Sequence, residues 1–133
     1  SVHHGFDKEP TERVLAAMES PYVDCIGHVT NRKINKRAGS PIDLERVIEK
    51  ALETGTFLEI NSQPDRLDLM DVHARAAREA GLKVVIDSDG HEVGALDFLE
   101  FGVGQARRAW MTKDDVLNTR TWKQIEKLRK KRP

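Results

Sequence analysis

The sequence predicts an α/β fold in which parallel strands are joined by helical crossovers. Short apolar runs alternate along the chain with segments whose apolar residues recur at helical spacing. The apolar runs are continuous, which is typical of parallel strands that are covered by helices on both faces. At 133 residues, the chain is at most one domain.

The predicted elements follow one another in the order expected for a parallel sheet. A helix at residues 11–19 precedes the first strand, at residues 23–27. The next helix, at residues 43–53, has one apolar face, and we expect Ser40 to cap it and Gly55 to end it. The remaining predicted elements are a strand at 56–60, a helix at 71–80, a strand at 83–87 and a helix at 93–101.

The end of the chain is strongly basic, although the chain as a whole carries no net charge. Formal charges sum to +0, so the net charge predicts no general affinity for nucleic acid. Thr112 and Thr121 each begin a sequence with capping-box spacing, which predicts two short helices. Residues 120–133, a predicted basic helix and tail, contain seven Lys or Arg and one Glu. This composition is compatible with a solvated tail or with phosphate binding.

Composition also indicates the compartment. Cys25 is the single cysteine and has no partner for an internal disulfide, which favours a reducing environment. No apolar stretch approaches the roughly 18 residues of a membrane span, and no signal peptide is visible. We therefore expect a cytoplasmic protein without a membrane partner.

Histidine and aspartate side chains follow the predicted strands. Asp89 and His91 follow the third strand, His28 follows the first, and His3 lies in the strand-like opening of the chain. Because parallel α/β folds gather their chemistry at the carboxyl ends of strands, we expect these side chains to form a metal site. Imidazole and carboxylate ligands suit Zn²⁺, Mn²⁺ or Fe²⁺. The pattern predicts a metal-dependent hydrolase with Asp89, His91 and His28 at its catalytic centre.

Four side chains are candidates for contacts with a substrate: Arg32, Asn61, Arg66 and Arg107. Arg32 belongs to a basic loop that follows the first strand, and Asn61 and Arg66 follow the second. Both segments are equally compatible with solvated turns. Arg107 lies near Trp110, which could stack on a base or pack against the protein.

Two further motifs are interpreted as structural. His73 lies among charged residues of a predicted helix, where we expect it on the surface. The two glycines at 102 and 104 lack the third glycine and the preceding strand of a dinucleotide site. The sequence has no Cys-x-x-Cys pair, nucleophile elbow or P-loop.

Five segments, in order along the chain, resemble successive motifs of the PHP (polymerase and histidinol phosphatase) domain. They are residues 1–6, 27–32, 59–68, 88–91 and 102–110. The similarity is greatest to the PHP domain of bacterial and archaeal family X DNA polymerases. It implies that residues 1–133 are one partial domain, the C-terminal half of a distorted (βα)₇ barrel.

The resemblance also implies a function. It implies a metal-dependent phosphoesterase that acts on DNA 3′ ends in DNA repair, as a 3′–5′ exonuclease and 3′-phosphatase. His3, His28, Asp89 and His91 would be ligands of a multinuclear Mn²⁺, Zn²⁺ or Fe²⁺ centre. The N-terminal half of the barrel and a polymerase domain would be partners.

Two other functions and one mode of association are also predicted. The chain could be a non-catalytic half-barrel that positions DNA, or a small-molecule phosphatase such as a histidinol phosphatase. In a half-barrel, the first and last strands would have open edges, which favours self-association.

Overall fold

A computed structural model describes residues 8–133 and shows a parallel sheet with helical crossovers. The α/β class predicted from the sequence is therefore confirmed, whereas barrel geometry remains a prediction. In the described part of the chain the sheet has three strands in the order β1-β2-β3, with all neighbours parallel. The strands are β1 (Cys25–Ile26), β2 (Phe57–Asn61) and β3 (Val84–Asp87).

Helices precede, connect and follow these strands. Asp43 caps α2, because its side chain accepts the backbone N–H of Arg46 at 3.2 Å. The predicted cap, Ser40, is therefore three residues too early, while Gly55 ends the helix in the left-handed conformation as predicted. The α-helices are α1 (Pro10–Met18), α2 (Leu44–Thr54), α3 (Asp71–Glu79), α4 (Leu99–Arg108) and α5 (Trp122–Leu128), and 3₁₀ helices span Val93–Phe98 and Leu117–Thr119.

The two faces of the sheet differ at the carboxyl ends of its strands, where one is apolar and the other polar. Leu58 and Ile60 of β2 are fully buried in the apolar core. Side chains of successive strand residues point to opposite faces, so Glu59 and Asn61 lie on the other face. Because Asn61 is in register with Asp87, these three polar residues share a face, which we call the polar face.

Helix α4 lies close against the sheet because Gly102 has no side chain. A Cβ atom at this position would lie 2.1 Å from Ser62 Oγ and 2.7 Å from Ile86 Cγ2. The sequence predicts a helix only as far as residue 101, whereas a 3₁₀ helix covers the start of that range and α4 continues to Arg108. The glycine that looks like a helix breaker is therefore the contact point between α4 and the sheet.

One of the two predicted capping boxes opens a helix. Thr121 and Gln124 form the reciprocal contacts of a capping box at the start of α5, as predicted. At Thr112, the backbone N–H and the hydroxyl both donate to the Asp115 carboxylate, at 2.7 and 3.1 Å. These bonds close a turn instead of starting a helix, because the same side-chain chemistry stabilises both structures.

The outer edge of β3 is covered by residues 115–118. The N–H of Val84 donates to the Asp115 carbonyl at 3.0 Å. The Asn118 amide then pairs with Ile86, accepting its N–H at 3.1 Å and donating to its carbonyl at 2.6 Å. The prediction of an open edge is thus wrong for the last strand, because a side-chain amide takes the place of a neighbouring strand.

The C-terminal segment packs back on the segment between α1 and β1. Lys130 Nζ donates to the carbonyls of Met18 and Ser20, and Arg132 Nη2 lies 3.0 Å from Asp24 Oδ2. The tail therefore contacts protein and is only partly solvated. Within residues 8–133, no helix is both long and apolar enough to traverse a lipid bilayer.

Candidate functional site

Glu59 connects the ends of the three strands. Its Oε2 atom accepts the backbone N–H of His28, which follows β1, and the side-chain amide of Asn61 at 3.2 Å. The same amide donates to Asp89 Oδ2 at 3.0 Å. One buried carboxyl group thus fixes the position of His28, Asn61 and Asp89 relative to one another.

The loop after β3 presents Asp89 and His91 in a defined geometry. The Asp89 N–H donates to Asp87 Oδ1 at 3.0 Å, and Gln63 Nε2 donates to the carbonyls of Ser88 and Asp89. His91 Nδ1 lies 2.7 Å from the Asp89 carbonyl, which can only accept a hydrogen bond. This contact places the proton on Nδ1 and leaves Nε2 of the neutral imidazole able to bind a proton or a cation.

The backbone around the site is held in conformations that side chains seldom adopt. His28, Asn31, Leu67 and Asp89 all have positive φ angles, of 29°, 54°, 44° and 47°. Such conformations cost on the order of 1 kcal/mol or more each and are concentrated at functional sites. Four of the seven non-glycine residues with positive φ in the described part of the chain thus lie around the carboxyl edge of this sheet.

A cleft of about 470 Å³ opens beside Asp89 and His91. Arg66 and Lys33 also line it, and Arg66 Nε lies 3.9 Å from Asp89 Oδ2. Arg66 is 7% exposed, so its charge acts in a partly desolvated environment. Asp65 and Glu92 line the cleft as well, and Lys33 is paired with Asp65 at 2.7 Å. The cleft thus combines two cations, three carboxylates and an imidazole, and its cations can bind the oxygens of a phosphate group.

Burial shifts the acid–base properties of the groups behind this cleft. Burial, with a smaller contribution from the neighbouring Asp87 carboxylate, raises the pKa of Glu59 to about 8. Burial also raises the pKa of Asp68, which is fully buried and accepts the Thr30 N–H at 3.0 Å. Burial and the charge of Arg66 lower the pKa of His28, which favours its neutral form.

Most of the predicted site residues lie near this edge, but their environments differ. Asn61 is fully buried and its amide contacts protein carboxylates, so its side chain does not face the cleft. Arg32 donates to the carbonyls of Arg66 and Leu67 and thereby supports the loop. Arg107 lines a different cavity.

The sequence analysis also singled out two further histidines, His3 and His73. His3 lies outside the described residues. His73 was expected on the surface but is half-buried, and burial lowers its pKa. The charged neighbours that suggested exposure lie on the other sides of α3, because helical residues one or two apart do not share a face.

The candidate metal ligands within residues 8–133 do not make a complete metal site. In this part of the chain, no three His, Cys, Asp or Glu side chains are grouped so that they could hold an ion. His28, Asp89 and His91 have suitable donor chemistry but are too few and too dispersed to enclose a metal on their own. Their role as metal ligands stays a prediction.

Sequence reasoning missed two residues of the site, Glu59 and Asp68. A glutamate inside the apolar run of β2 is a recognisable signal, because buried charges are rare unless they are paired or functional. Asp68 carries no comparable signal, because its burial depends on packing against residues far away in the sequence.

Comparison with known proteins gives two kinds of relative. No protein-family model matches the chain. The chain is 40% identical over 129 residues to the DNA polymerase/3′-5′ exonuclease PolX of Bacillus subtilis, a match that covers 95% of the chain and 23% of that protein, in its C-terminal region. It is 34% identical over 128 residues to a probable phosphatase of Thermoanaerobacter sp. strain X514, covering 92% of the chain and 50% of that protein.

The chain is homologous to a part of each of these proteins. A probable phosphatase of Caldanaerobacter subterraneus is 33% identical over 128 residues and gives the same coverage of the chain, 92%. The chain spans about a quarter of the polymerase and about half of the phosphatases that it matches. The similarity therefore concerns a segment that the two kinds of protein have in common.

Proposed function

We propose that this chain is part of a PHP-type phosphoesterase that hydrolyses phosphate esters at DNA 3′ ends. The observation that carries the proposal is the fixed position of Asp89 and His91 in a cleft that also contains Arg66 and Lys33, at the carboxyl edge of the sheet. The relatives support the same reaction class, because one is named an exonuclease and others are named probable phosphatases.

Each group in the cleft has a role in this proposal. Arg66 and Lys33 bind the phosphate oxygens and offset their charge. His91 offers Nε2 to a proton or a cation, because its Nδ1 is held by the Asp89 carbonyl. Glu59 and Asn61 do not contact the substrate, and they position His28 and Asp89.

The proposed phosphoesterase also needs a metal centre, and the described residues cannot complete one on their own. Mn²⁺, Zn²⁺ or Fe²⁺ would supply charge neutralisation and an activated water. His28, Asp89 and His91 would contribute donors, and His3 and residues of a longer protein would have to complete the set. Addition of Mn²⁺ to the metal-free protein tests this dependence.

The deciding experiment compares Asp89→Asn with Asp97→Asn in hydrolysis of 3′-labelled DNA. Asp97 is exposed in the 3₁₀ helix that follows the site, so its replacement is the matched control. We expect Asp89→Asn to lose at least about 100-fold in kcat, the scale typical of a directly acting group, and Asp97→Asn to retain wild-type activity. Full Mn²⁺-dependent activity in Asp89→Asn would refute the assignment.

Two alternative functions are outcomes of the same experiment. The probable phosphatases, which match 92% of the chain, favour a small-molecule phosphatase as the second candidate. Hydrolysis of histidinol phosphate with no cleavage of DNA would establish that function. Failure to hydrolyse either substrate, with DNA binding retained, would establish a non-catalytic DNA-positioning module.

A further inference from the structure

A basic groove lies beside the amino end of β1, away from the candidate site. Its volume is about 400 Å³. Arg132 Nη2 lies 3.0 Å from Oδ2 of Asp24, the residue that directly precedes β1, so the groove and the candidate site lie at opposite ends of this strand. Five cationic side chains and one carboxylate line the groove: Lys127, Arg129, Lys130, Lys131, Arg132 and Glu126.

Two exposed aromatic rings flank the arginines of this groove. Trp122 is 62% exposed, and Arg129 lies over its ring with Cζ 5.9 Å from the centroid. Tyr22 is 65% exposed, and Arg132 lies over its ring at 5.8 Å. Both guanidinium groups approach the same atom, Asp24 Oδ2, at 3.8 and 3.0 Å. The two rings and the groove therefore form one continuous surface, which we call the basic aromatic surface.

The positive charge of this surface is only partly balanced by the protein itself. Asp24 is shared by two arginines, and Glu19, which is close to Lys130, is paired with Lys50. Within residues 8–133, three exposed lysines of the surface have no ion pair: Lys123, Lys127 and Lys131.

The spacing of two of these lysines is unfavourable for the helix that carries them. Lys123 and Lys127 are four residues apart in α5, where like charges share a face and repel each other. An anion bound from outside would relieve this repulsion. The lysines therefore indicate an anionic partner, and the rings indicate a partner with planar groups.

We propose that the basic aromatic surface binds single-stranded DNA. Unpaired bases stack on Trp122 and Tyr22, and the backbone phosphates meet the three exposed lysines. Proteins that bind single strands without sequence preference combine the same two components, a positively charged groove and aromatic side chains for the bases.

Other anionic partners would use only part of this surface. The bases of a duplex are already stacked on one another, and an acidic peptide has no planar groups to match the rings. Insertion of the rings into an anionic membrane would carry Arg129 and Arg132 out of water, which is unfavourable. The choice of DNA over RNA rests on the proposed function, whereas binding at this surface does not require the cleft at Asp89 to be catalytic.

Titration with an oligothymidylate of about twelve nucleotides, followed by fluorescence anisotropy in EDTA, tests the proposal. We expect it to bind at least about tenfold more tightly than a duplex of the same length, because only unpaired bases can stack on the rings. It should likewise bind more tightly than the protein binds phosphatidylserine vesicles. Absence of binding, equal or tighter binding of the duplex or the vesicles, or tighter binding of an oligouridylate would overturn the proposal.

The absence of metal in this titration separates the two proposals. Metal-dependent hydrolysis cannot occur in EDTA, so a protein that is inactive on 3′-labelled DNA would still show binding at this surface. Conversely, an active enzyme that fails to bind the oligothymidylate in EDTA would contradict this proposal alone.

The two tryptophans of the chain locate the binding. Trp122→Ala should weaken oligothymidylate binding by at least about fivefold, because it removes a stacking ring. Trp110→Ala is the matched control and should bind as the wild type does, because Trp110 is also exposed, at 69%, and also lies under an arginine, Arg75 at 4.9 Å. Equal affinities in the two folded variants would place the DNA elsewhere and contradict the proposal.

Fluorescence gives a readout of stacking that does not depend on stability. The chain has two tryptophans, so Trp110→Phe leaves Trp122 as the single one. We expect the oligothymidylate to quench its emission, and binding without quenching would contradict stacking at this ring.

The salt dependence of binding tests the role of the lysines. Lys127→Gln should lower the slope of log affinity against log salt by about 0.7, the value for one phosphate contact of a single strand. An unchanged slope would show that Lys127 does not meet the backbone and would contradict the proposed placement.

Discussion

At the scale of single residues, Glu59 has the greatest influence on the site. It is an acidic residue within an otherwise apolar strand, and its Oε2 atom accepts hydrogen bonds from the His28 backbone and the Asn61 side chain. These donors would lose a buried acceptor if Glu59 were replaced by an apolar residue, at a cost of about 1–3 kcal/mol each. A glutamine keeps an acceptor oxygen and can donate its amide to Asp87.

Glu59 predicts a specific dependence of stability on pH. Its pKa is about 8 in the folded protein against an ordinary value of 4.5, because of burial first and the Asp87 charge second. Between these values the folded state binds a proton that the unfolded state releases, so the free energy of unfolding falls as pH rises. Urea denaturation between about pH 5 and about pH 8 should show this fall in the wild type and a clearly smaller fall in Glu59→Gln.

Glu79→Gln provides the control for this measurement, because Glu79 is an exposed glutamate at the end of α3. It should keep the wild-type dependence on pH. The same slope in Glu59→Gln and the wild type would show that Glu59 is ionised in the folded protein at neutral pH.

At the scale of elements, the two glycines of α4 have opposite roles. A Cβ atom at Gly102 would overlap Ser62 and Ile86, whereas nothing lies within 4 Å of one at Gly104. We expect Gly102→Ala to destabilise the protein by about 2–3 kcal/mol through overpacking. Gly104→Ala should stabilise it by up to about 1 kcal/mol, because alanine favours the helix.

Thermal and urea unfolding of the two alanine variants measure this difference, and each variant is the control for the other. Both substitutions raise helix propensity equally, so only packing separates them. Similar stabilities for the two variants would mean that α4 does not lie against the sheet as described.

The accuracy of the sequence prediction also depends on the element. The three strands were found because each lies in a short run dominated by apolar residues. Helix α4 was missed beyond residue 101 because a glycine that serves packing looks the same in sequence as one that breaks a helix. The edge of β3 could not be predicted, because the amide of Asn118 acts on Ile86 across 32 residues.

At the scale of the whole molecule, Lys130 ties the C-terminal segment to the end of α1. Its ammonium group donates to the carbonyls of Met18 and Ser20, and it is half-buried, whereas Lys131 is exposed. Lys130→Met should therefore lower the free energy of unfolding by about 1 kcal/mol. Lys131→Met removes the same charge and should change it by less than about 0.5 kcal/mol.

Chemical denaturation of both lysine variants tests this contact. Because each variant loses one positive charge, a general electrostatic effect would change both equally. An equal loss of stability would show that overall charge, and not the contact with Met18 and Ser20, is responsible.

The candidate site was only partly predictable at this scale. Asp89 and His91 follow one strand and His28 follows another, so their local sequence was sufficient to place them at the strand ends. The groups that hold them could not be found in the same way, because Glu59 reaches His28 across 31 residues and Asp68 reaches Thr30 across 38. Such contacts exist only when the sheet is packed, so the local sequence does not indicate them.

The contact between Lys130 and Met18 also limits how early during synthesis the chain can finish folding. The two residues are 112 positions apart, so the ribosome has to translate nearly the whole described segment before they can meet. Asn118 reaches β3 shortly before that point. The contact of Asn118 with β3 and the contact of Lys130 with the end of α1 must therefore form late. By then, the strands and the loops of the site have already left the exit tunnel.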